Sequence, residues 1–486
     1  MDTPISTATP KTPRWLRGAF GRGVLWLLFL GPFFFLSYGF ANQHAARMDT
    51  AIGVGNLVFA WERGIPLWPW TILPYWSIDL LYGFAFLCCR DKAATNRLGK
   101  RLLSAQLICV ACFLLWPLRF TFARPPLEDL SGALFNALAS FDLPYNQAPS
   151  LHIALLVIVW RQFATFATVR FARGLIHAWA LLIGLSVLTT WQHHFIDVPT
   201  GLAAGLFCLW LWPEQGKTPL EKAVTRRPPL ALRYLVAALL LLAAAIALGG
   251  IGLFLCWPAL SLALVAFNYA WAGAAGFQKQ DGRHTLAAKW LFAPYMLGAW
   301  INSRLWTRRD SAPSLIGGGI WLGRLPTARE FAAWARQRNG AVALFDLTAE
   351  LPAPKLPAEA AYMSLPCLDL APVPASIPSD ACLLDAVKRL AALRRARPDC
   401  EIWIACALGV SRSASVVAAW LCATTGPSAS VQEAVEQIRR ARPSIVIGQG
   451  SLASLEKFAL LTMTEALCKP NAPPSKDYGE NISEGG

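Results

Sequence analysis

The residues of this chain whose types and spacing could do chemistry fall in two groups. Toward the C-terminus, Glu401-Ile402-Trp403-Ile404-Ala405 reads as a short buried strand. It runs into Cys406-Ala407-Leu408-Gly409-Val410-Ser411-Arg412-Ser413, ahead of a helical stretch from Ala414 to Ala423. Cys-x5-Arg placed between a strand and a helix, with Gly409 for close backbone approach, makes an anion cradle. The N–H groups of Ala407, Leu408, Gly409, Val410 and Ser411 and the helix N-terminus bind phosphate and lower the thiol pKa. Cys406 is then a thiolate nucleophile toward phosphorus, Arg412 a fork for the equatorial oxygens, and Ser413 an aid to breakdown of the phosphocysteine.

The second group is built from histidine. Three of the six histidines lie in Pro149-Ser150-Leu151-His152 and His193-His194-Phe195-Ile196-Asp197, and Arg124-Pro125 precedes both. An Arg, two His and an Asp converging from three helix ends suit phosphoester chemistry. One imidazole attacks phosphorus, a carboxylate holds its tautomer, a second imidazole protonates the leaving oxygen, and a guanidinium grips the phosphate. No metal-ligand spacing accompanies either group, and both chemistries use covalent protein nucleophiles, so no cofactor or divalent metal is expected.

The elements that must position these residues follow from composition. Of 486 residues, 55% are apolar and only 15% charged, with 21 Trp and 26 Phe, which excludes a disordered or collagen-like chain. The net charge of +15 is spread in short Lys/Arg clusters between apolar blocks, which points to loop charge beside a membrane and away from nucleic acid. The 12 cysteines are scattered, several inside apolar runs, and read as buried free thiols. A membrane-spanning helix needs about 20 apolar residues. Eight blocks qualify, at 24–43, 68–89, 102–122, 150–169, 174–192, 196–213, 230–249 and 252–272. The first is expected to stay as an anchor. A further stretch, 285–305, carries Lys289 and Arg304 and is expected to lie at the interface, with a ninth span as the alternative.

Basic residues near the span ends orient the bundle. With the N-terminus inside, Lys92, Arg97, Lys100 and Arg101 fall in a cytoplasmic loop, Arg161, Arg170 and Arg173 flank the fourth and fifth spans, and Lys217, Lys222, Arg226 and Arg227 follow the sixth. The histidine group is then periplasmic and the C-terminal third cytoplasmic, where a catalytic thiolate stays reduced. From about 312, short β-type runs (316–322, 341–346, 361–367, 401–405) alternate with helical ones (327–338, 380–396, 411–424, 429–441), as in a soluble α/β domain. The expected organisation is a cytoplasmic segment 1–23, a six-span membrane domain 24–215, two further spans and an interfacial linker 216–311, a phosphatase domain 312–468, and a disordered tail 469–486.

Two family resemblances sharpen these readings. The order Arg-Pro, Pro-Ser-x-His, His-x3-Asp over about 65–215 resembles the phosphatidic acid phosphatase type 2 superfamily. That resemblance makes His193 the nucleophile, Asp197 its orienting carboxylate, His152 the acid and Arg124 a phosphate ligand. Pro117 and Val187 stand where two further cationic ligands are usual, which looks more like the sphingomyelin and inositol phosphorylceramide synthase branch, as do Pro66-Leu67-Trp68-Pro69-Trp70 and Pro74-Tyr75-Trp76. Hydrolysis and headgroup transfer share one phosphoenzyme, and both remain open.

Residues 314–462, with Ile320-Trp321-Leu322-Gly323-Arg324 near the start, resemble the dual-specificity branch of the protein tyrosine phosphatases. The resemblance implies an all-α polytopic membrane bundle followed by a soluble α/β domain of the cysteine-dependent phosphatase fold. It also implies an Asp acid on a separate loop, for which Asp369 is the candidate and Asp380, at a helix start, the rival. Ala405 replaces the usual His before the nucleophile. The expected whole is a bifunctional phosphatase of the bacterial inner membrane, its partners membrane lipids and a lipid-phosphate or phosphoprotein substrate. The alternative is a headgroup transferase joined to a phosphatase or a phosphoresidue-binding regulator.

Overall fold

The computed structural model describes residues 18–224, 226–368, 380–425 and 430–467. The chain forms two compact units. The first comprises residues up to Leu220 with Leu242–Cys256 and Thr285–Leu291, and the second comprises Glu221–Leu241, Trp257–His284 and the chain from Phe292 onward.

Each of the eight apolar blocks contains a helix, and six of these helices are long and apolar enough to cross a membrane among the described residues: Ala19–Ile52, Pro69–Cys88, Lys92–Leu115, Arg170–Thr189, Pro228–Leu248 and Gly250–Phe277. Within residues 18–220 of the first unit the α-helices are α1 (Ala19–Ile52), α2 (Ile72–Ala85), α3 (Lys92–Leu115), α4 (Leu130–Ala139), α5 (Leu151–Phe166), α6 (Arg170–Thr189) and α7 (Asp197–Leu211). The third helix differs from the expected 102–122. Asp91 caps its start by accepting from the Ala94 N–H at 2.7 Å, so Lys92, Arg97, Lys100 and Arg101 belong to the helix and not to a loop. Arg101 is buried and donates from Nε to the Trp212 carbonyl at 2.9 Å. Residues 116–122 are not helical, and the extended chain there brings Thr121 to the histidine group. Helix α7 packs on α5 through Gly201 and Gly205, where a Cβ would collide with the Ser150 and Ala154 carbonyls, so two small residues four apart let the backbones touch.

Helix α8 (Pro228–Leu248) and α9 (Cys256–Phe267) follow, and a short hairpin pairs β1 (Lys279–Gln280) with β2 (Arg283–His284). Residues 285–305 form α10 (Leu286–Leu291) and α11 (Ala293–Trp306), broken at Phe292. Of 14 residues, α11 is too short to span a bilayer upright.

The α/β part of the second unit is a five-stranded sheet of order β3 (Ser314–Gly317), β4 (Ile320–Arg324), β7 (Glu401–Cys406), β5 (Val342–Thr348), β6 (Ala361–Cys367). All neighbours run parallel except β3 and β4. The expected single strand 316–322 is therefore an antiparallel hairpin, because Gly317-Gly318-Gly319 turns the chain back on itself. Successive residues of β7 face opposite layers, as the two-residue period of a strand requires. Ile402, Ile404 and Cys406 pack under α13 (Asp380–Ala396), α14 (Arg412–Thr425), α15 (Val431–Ala441) and α16 (Gln449–Leu467). Trp403 and Ala405 pack on the other face with Phe331 and Trp334 of α12 (Ala328–Arg336). Cys406 thus sits at the carboxyl end of a central strand, where open α/β sheets place ligands. The terminal tail 469–486 and residues 1–17 lie outside the described residues.

Candidate active sites

In the second unit the chain leaves β7 at Cys406, curls through 407–411 and enters α14 at Arg412. Gly409 closes the curl at φ +71°, and a Cβ there would run into the backbone of Gly323 and Arg324. The Gly409 N–H and the Ser413 hydroxyl both donate to Cys406 Sγ at 3.2 Å. Cys406 and Arg412 are buried, at 2% and 1% exposure. Ala405 lies in the strand between Gly323 and Asp346, so no imidazole supports the thiol from that position.

The sequence reading missed three groups that hold this loop. Glu350 receives Arg412 Nη1 at 3.0 Å and Nη2 at 2.6 Å, a two-pronged pair that fixes the guanidinium plane, while Nη1 also donates to the Cys367 carbonyl at 2.8 Å. Burial works to raise the Glu350 carboxyl, but the Arg412 charge and hydrogen bonds outweigh it and hold the group below its usual range. Arg442 donates from Nε to the Gly409 carbonyl at 3.0 Å and pairs with Asp310 at 3.1 Å. Ser303 of α11 donates to the Ala407 carbonyl at 2.5 Å. Glu350 is positioned in turn by the β1–β2 hairpin. Lys279 Nζ meets Asp346 at 2.6 Å and the Thr348 carbonyl at 2.8 Å, and His284 Nε2 lies 2.9 Å from the Ala349 carbonyl. Burial pushes the His284 pKa down to about 4, so the ring is neutral at pH 7. Asp369 lies outside the described residues, and Asp380 is the first residue of α13.

In the first unit, His193 and Asp197 precede and open α7. His193 Nδ1 lies 3.1 Å from Asp197 Oδ2, and Nε2 lies 3.1 Å from Ser150 Oγ. The carboxylate therefore selects the tautomer with hydrogen on Nδ1 and a lone pair on Nε2. Asp197 is 1% exposed and is itself held by the Ala148 N–H at 2.9 Å and the His194 N–H at 3.1 Å. Ser150 also caps α5, accepting from the Ile153 N–H. Adjacent His194 is a supporting residue. Its Nδ1 lies 3.0 Å from Glu62 Oε2, its Nε2 lies 3.2 Å from the Thr121 N–H, and it sits against Phe120 and Phe122.

His193 and Arg124 line one cavity of about 510 Å3, together with Gln192, Tyr38 and Asp142. The Arg124 guanidinium lies 4.6 Å over the Phe135 ring, and Gln192, with its amide oriented to satisfy both groups, accepts from Arg124 Nη1 at 2.9 Å and Nη2 at 3.1 Å. Asp142 accepts from the Tyr38 hydroxyl at 2.8 Å, and burial raises its carboxyl pKa. His152 is not in the cavity lining. Its ring stacks on Tyr75 at 4.1 Å, and its Nε2 finds no hydrogen-bond partner among the described residues. Among the described residues, no group of three or more His, Cys, Asp and Glu side chains is placed to hold a metal.

Comparison with known proteins gives solved structures alone. No protein-family model and no curated protein matches the chain. PTPMT1 crystallised with PI(5)P is 23% identical over 32% of this chain and 98% of its own, with a TM-score of 0.27. The phosphatase Tk-PTP in its active form is 24% identical over 31% of this chain and 98% of its own, at 0.26. Human DUSP28 is 24% identical over 31% of this chain and 99% of its own, at 0.27.

Proposed function

We propose that the chain is a bifunctional phosphatase of the bacterial inner membrane, with a cytoplasmic cysteine site for phosphomonoesters and a periplasmic histidine site for lipid phosphate. The observation that carries the first half is the loop 406–413, in which a buried thiol receives two hydrogen bonds and a buried guanidinium is fixed beside it. The Cys406 thiolate attacks phosphorus as the P–O bond to the substrate alcohol breaks. Asp369 gives the leaving oxygen its proton. Water then attacks the phosphocysteine, its proton goes to Asp369, and phosphate and thiolate are released. The loop N–H groups of 407–411 and Arg412 carry the charge of the transferring group. The test is phosphate release from p-nitrophenyl phosphate without added metal. Wild-type turnover that disappears in Cys406→Ser supports the reading, and turnover indifferent to that change sinks it.

At the second site His193 Nε2 attacks phosphorus as the P–O bond to the lipid alcohol breaks, Asp197 steadies the imidazolium through Nδ1, and His152 protonates the leaving oxygen, for which its ring must turn from Tyr75 into the cavity. Water then completes hydrolysis. The distribution of Lys and Arg supports the orientation, and the six long apolar helices support the membrane placement.

One observation favours transfer to a lipid alcohol as a second reading. Val187 is fully buried and its carbonyl accepts from the His193 N–H, so no cation enters from that position, and of the two guanidiniums in the cavity lining Arg119 is already paired with Asp49, which leaves Arg124 and the half-buried carboxyl of Asp142. A phosphodiester, with a single negative charge, matches that balance better than a dianionic monoester. Feeding a headgroup-labelled phospholipid with a lipid alcohol separates the two: a new labelled phospholipid means transfer, and label in water alone means hydrolysis.

A further inference from the structure

Beside the phosphate loop, wholly within the second unit, lies a cavity of about 310 Å3. Its walls include Tyr234 of α8, Leu262 of α9 and Tyr295, Gly298 and Asn302 of α11, and Leu408 of the phosphate loop closes it. Two of these helices belong to segments long and apolar enough to cross a membrane. The same cavity is lined by Glu350, which grips Arg412, and by Ser303, which donates to the Ala407 carbonyl next to the nucleophile. The cavity therefore joins residues of membrane helices to the loop that binds phosphate.

Helix α11 adds an independent sign. Leu297, Trp300, Ile301, Leu305 and Trp306 are exposed, and exposed Arg308 and Arg309 follow its end, while Arg304 turns to Glu330 at 3.7 Å. Exposed Trp and Leu beside Arg is the composition of a helix that lies in the headgroup region of an anionic membrane. A soluble phosphoprotein has no use for such a platform around the catalytic loop.

We infer that the Cys406 site acts on a long-chain glycerolipid phosphomonoester that stays anchored in the bilayer, its headgroup entering through the cavity between α8, α9 and α11. The inference rests on the cysteine-phosphatase reading of Cys406 and names its substrate class. The reaction is hydrolysis: the lipid C–O–P ester becomes a lipid alcohol and phosphate, with water supplying the remaining oxygen and protons. Gly298 is the useful handle, because it lines the cavity and nothing lies within 4 Å of where its Cβ would be. The Cβ of a Trp there meets no neighbour, and its ring extends from the cavity wall.

The experiment uses full-length protein in the His193→Ala background, so that only the cysteine site reports. Phosphate release is measured from dioleoyl phosphatidic acid and dioleoyl phosphatidylglycerol phosphate in phosphatidylcholine vesicles, and from glycerol 3-phosphate, a phosphotyrosine peptide and p-nitrophenyl phosphate. The expected result is a kcat/KM at least tenfold higher for a long-chain lipid than for glycerol 3-phosphate or the peptide. Gly298→Trp should lower the lipid value at least tenfold more than the p-nitrophenyl phosphate value. A preference for the peptide, or an equal loss on both substrates, overturns the inference while Cys406-dependent release of p-nitrophenyl phosphate leaves the phosphatase reading standing. Absence of any Cys406-dependent release overturns both.

Discussion

The two candidate sites are put together by different constructions. The cysteine site is one unbroken turn of chain, with nucleophile, donors and cation inside eight consecutive residues, Cys406 to Ser413. The histidine site is assembled from distant segments: Arg124, Ser150 and the 192–197 loop, steadied by Glu62 from 132 positions before His194. A contiguous loop gets its geometry from backbone conformation. A distributed site gets it from helix packing, as where α7 touches α5 at Gly201 and Gly205. The first should tolerate distant changes and fail at its own residues, and the second should fail wherever its helices are moved apart.

The largest expected effect is Cys406→Ser, which removes the nucleophile and should lower p-nitrophenyl phosphate turnover about 10³-fold or more. Its counterpart, Asp197→Asn, leaves the packing intact but allows the wrong imidazole tautomer. Activity dependent on His193 should fall on the order of 10³-fold while cysteine-site turnover stays as it was. Glu350→Ala removes the carboxylate that faces the buried Arg412 charge, and the second unit should lose about 3–5 kcal/mol of stability in a denaturant or thermal melt. Little change would mean that Arg412 has a better partner than the Glu350 fork.

The smallest effect concerns pH. The folded His284 is held down to about 4, below its unfolded value, so between roughly pH 6.5 and 4 the unfolded chain binds a proton that the folded one refuses. Stability of the second unit should therefore fall as pH drops through that window, by about 3 kcal/mol at most. Glu350, held low by Arg412, adds to the loss once pH falls below its own unfolded value. His284→Gln should flatten the upper part of that slope, and an unchanged slope would remove His284 as its source.

The same contrast explains what could be read without coordinates. Alternation of short β-type and helical runs located β5, β6, β7 and α12–α15, because each run carries its own period. The split of 316–322 into two strands was not legible, since Ile316 and Ile320–Leu322 fit one strand until the three intervening glycines turn the chain. Cys406, Arg412 and Ser413 announced themselves by spacing within one loop. Glu350 stands 62 positions from Arg412, and Arg442 stands 33 from Gly409. An acidic or basic residue at such a remove has no local signature: the parallel strands β5 and β7 bring Glu350 to Arg412, and the packing of α15 on α14 brings Arg442 to Gly409. Asp142 was equally silent, because its partner Tyr38 is 104 positions away.

The central claim, two independent phosphoryl-transfer sites in one chain, is tested most directly by phosphate release from detergent-purified protein over a panel of lipid phosphates, p-nitrophenyl phosphate and phosphopeptides, comparing wild type, Cys406→Ser and His193→Ala. The account expects each substitution to abolish activity on a different subset of the panel and to spare the other. Loss of every activity in Cys406→Ser, with none in His193→Ala on any substrate or lipid acceptor, would contradict it.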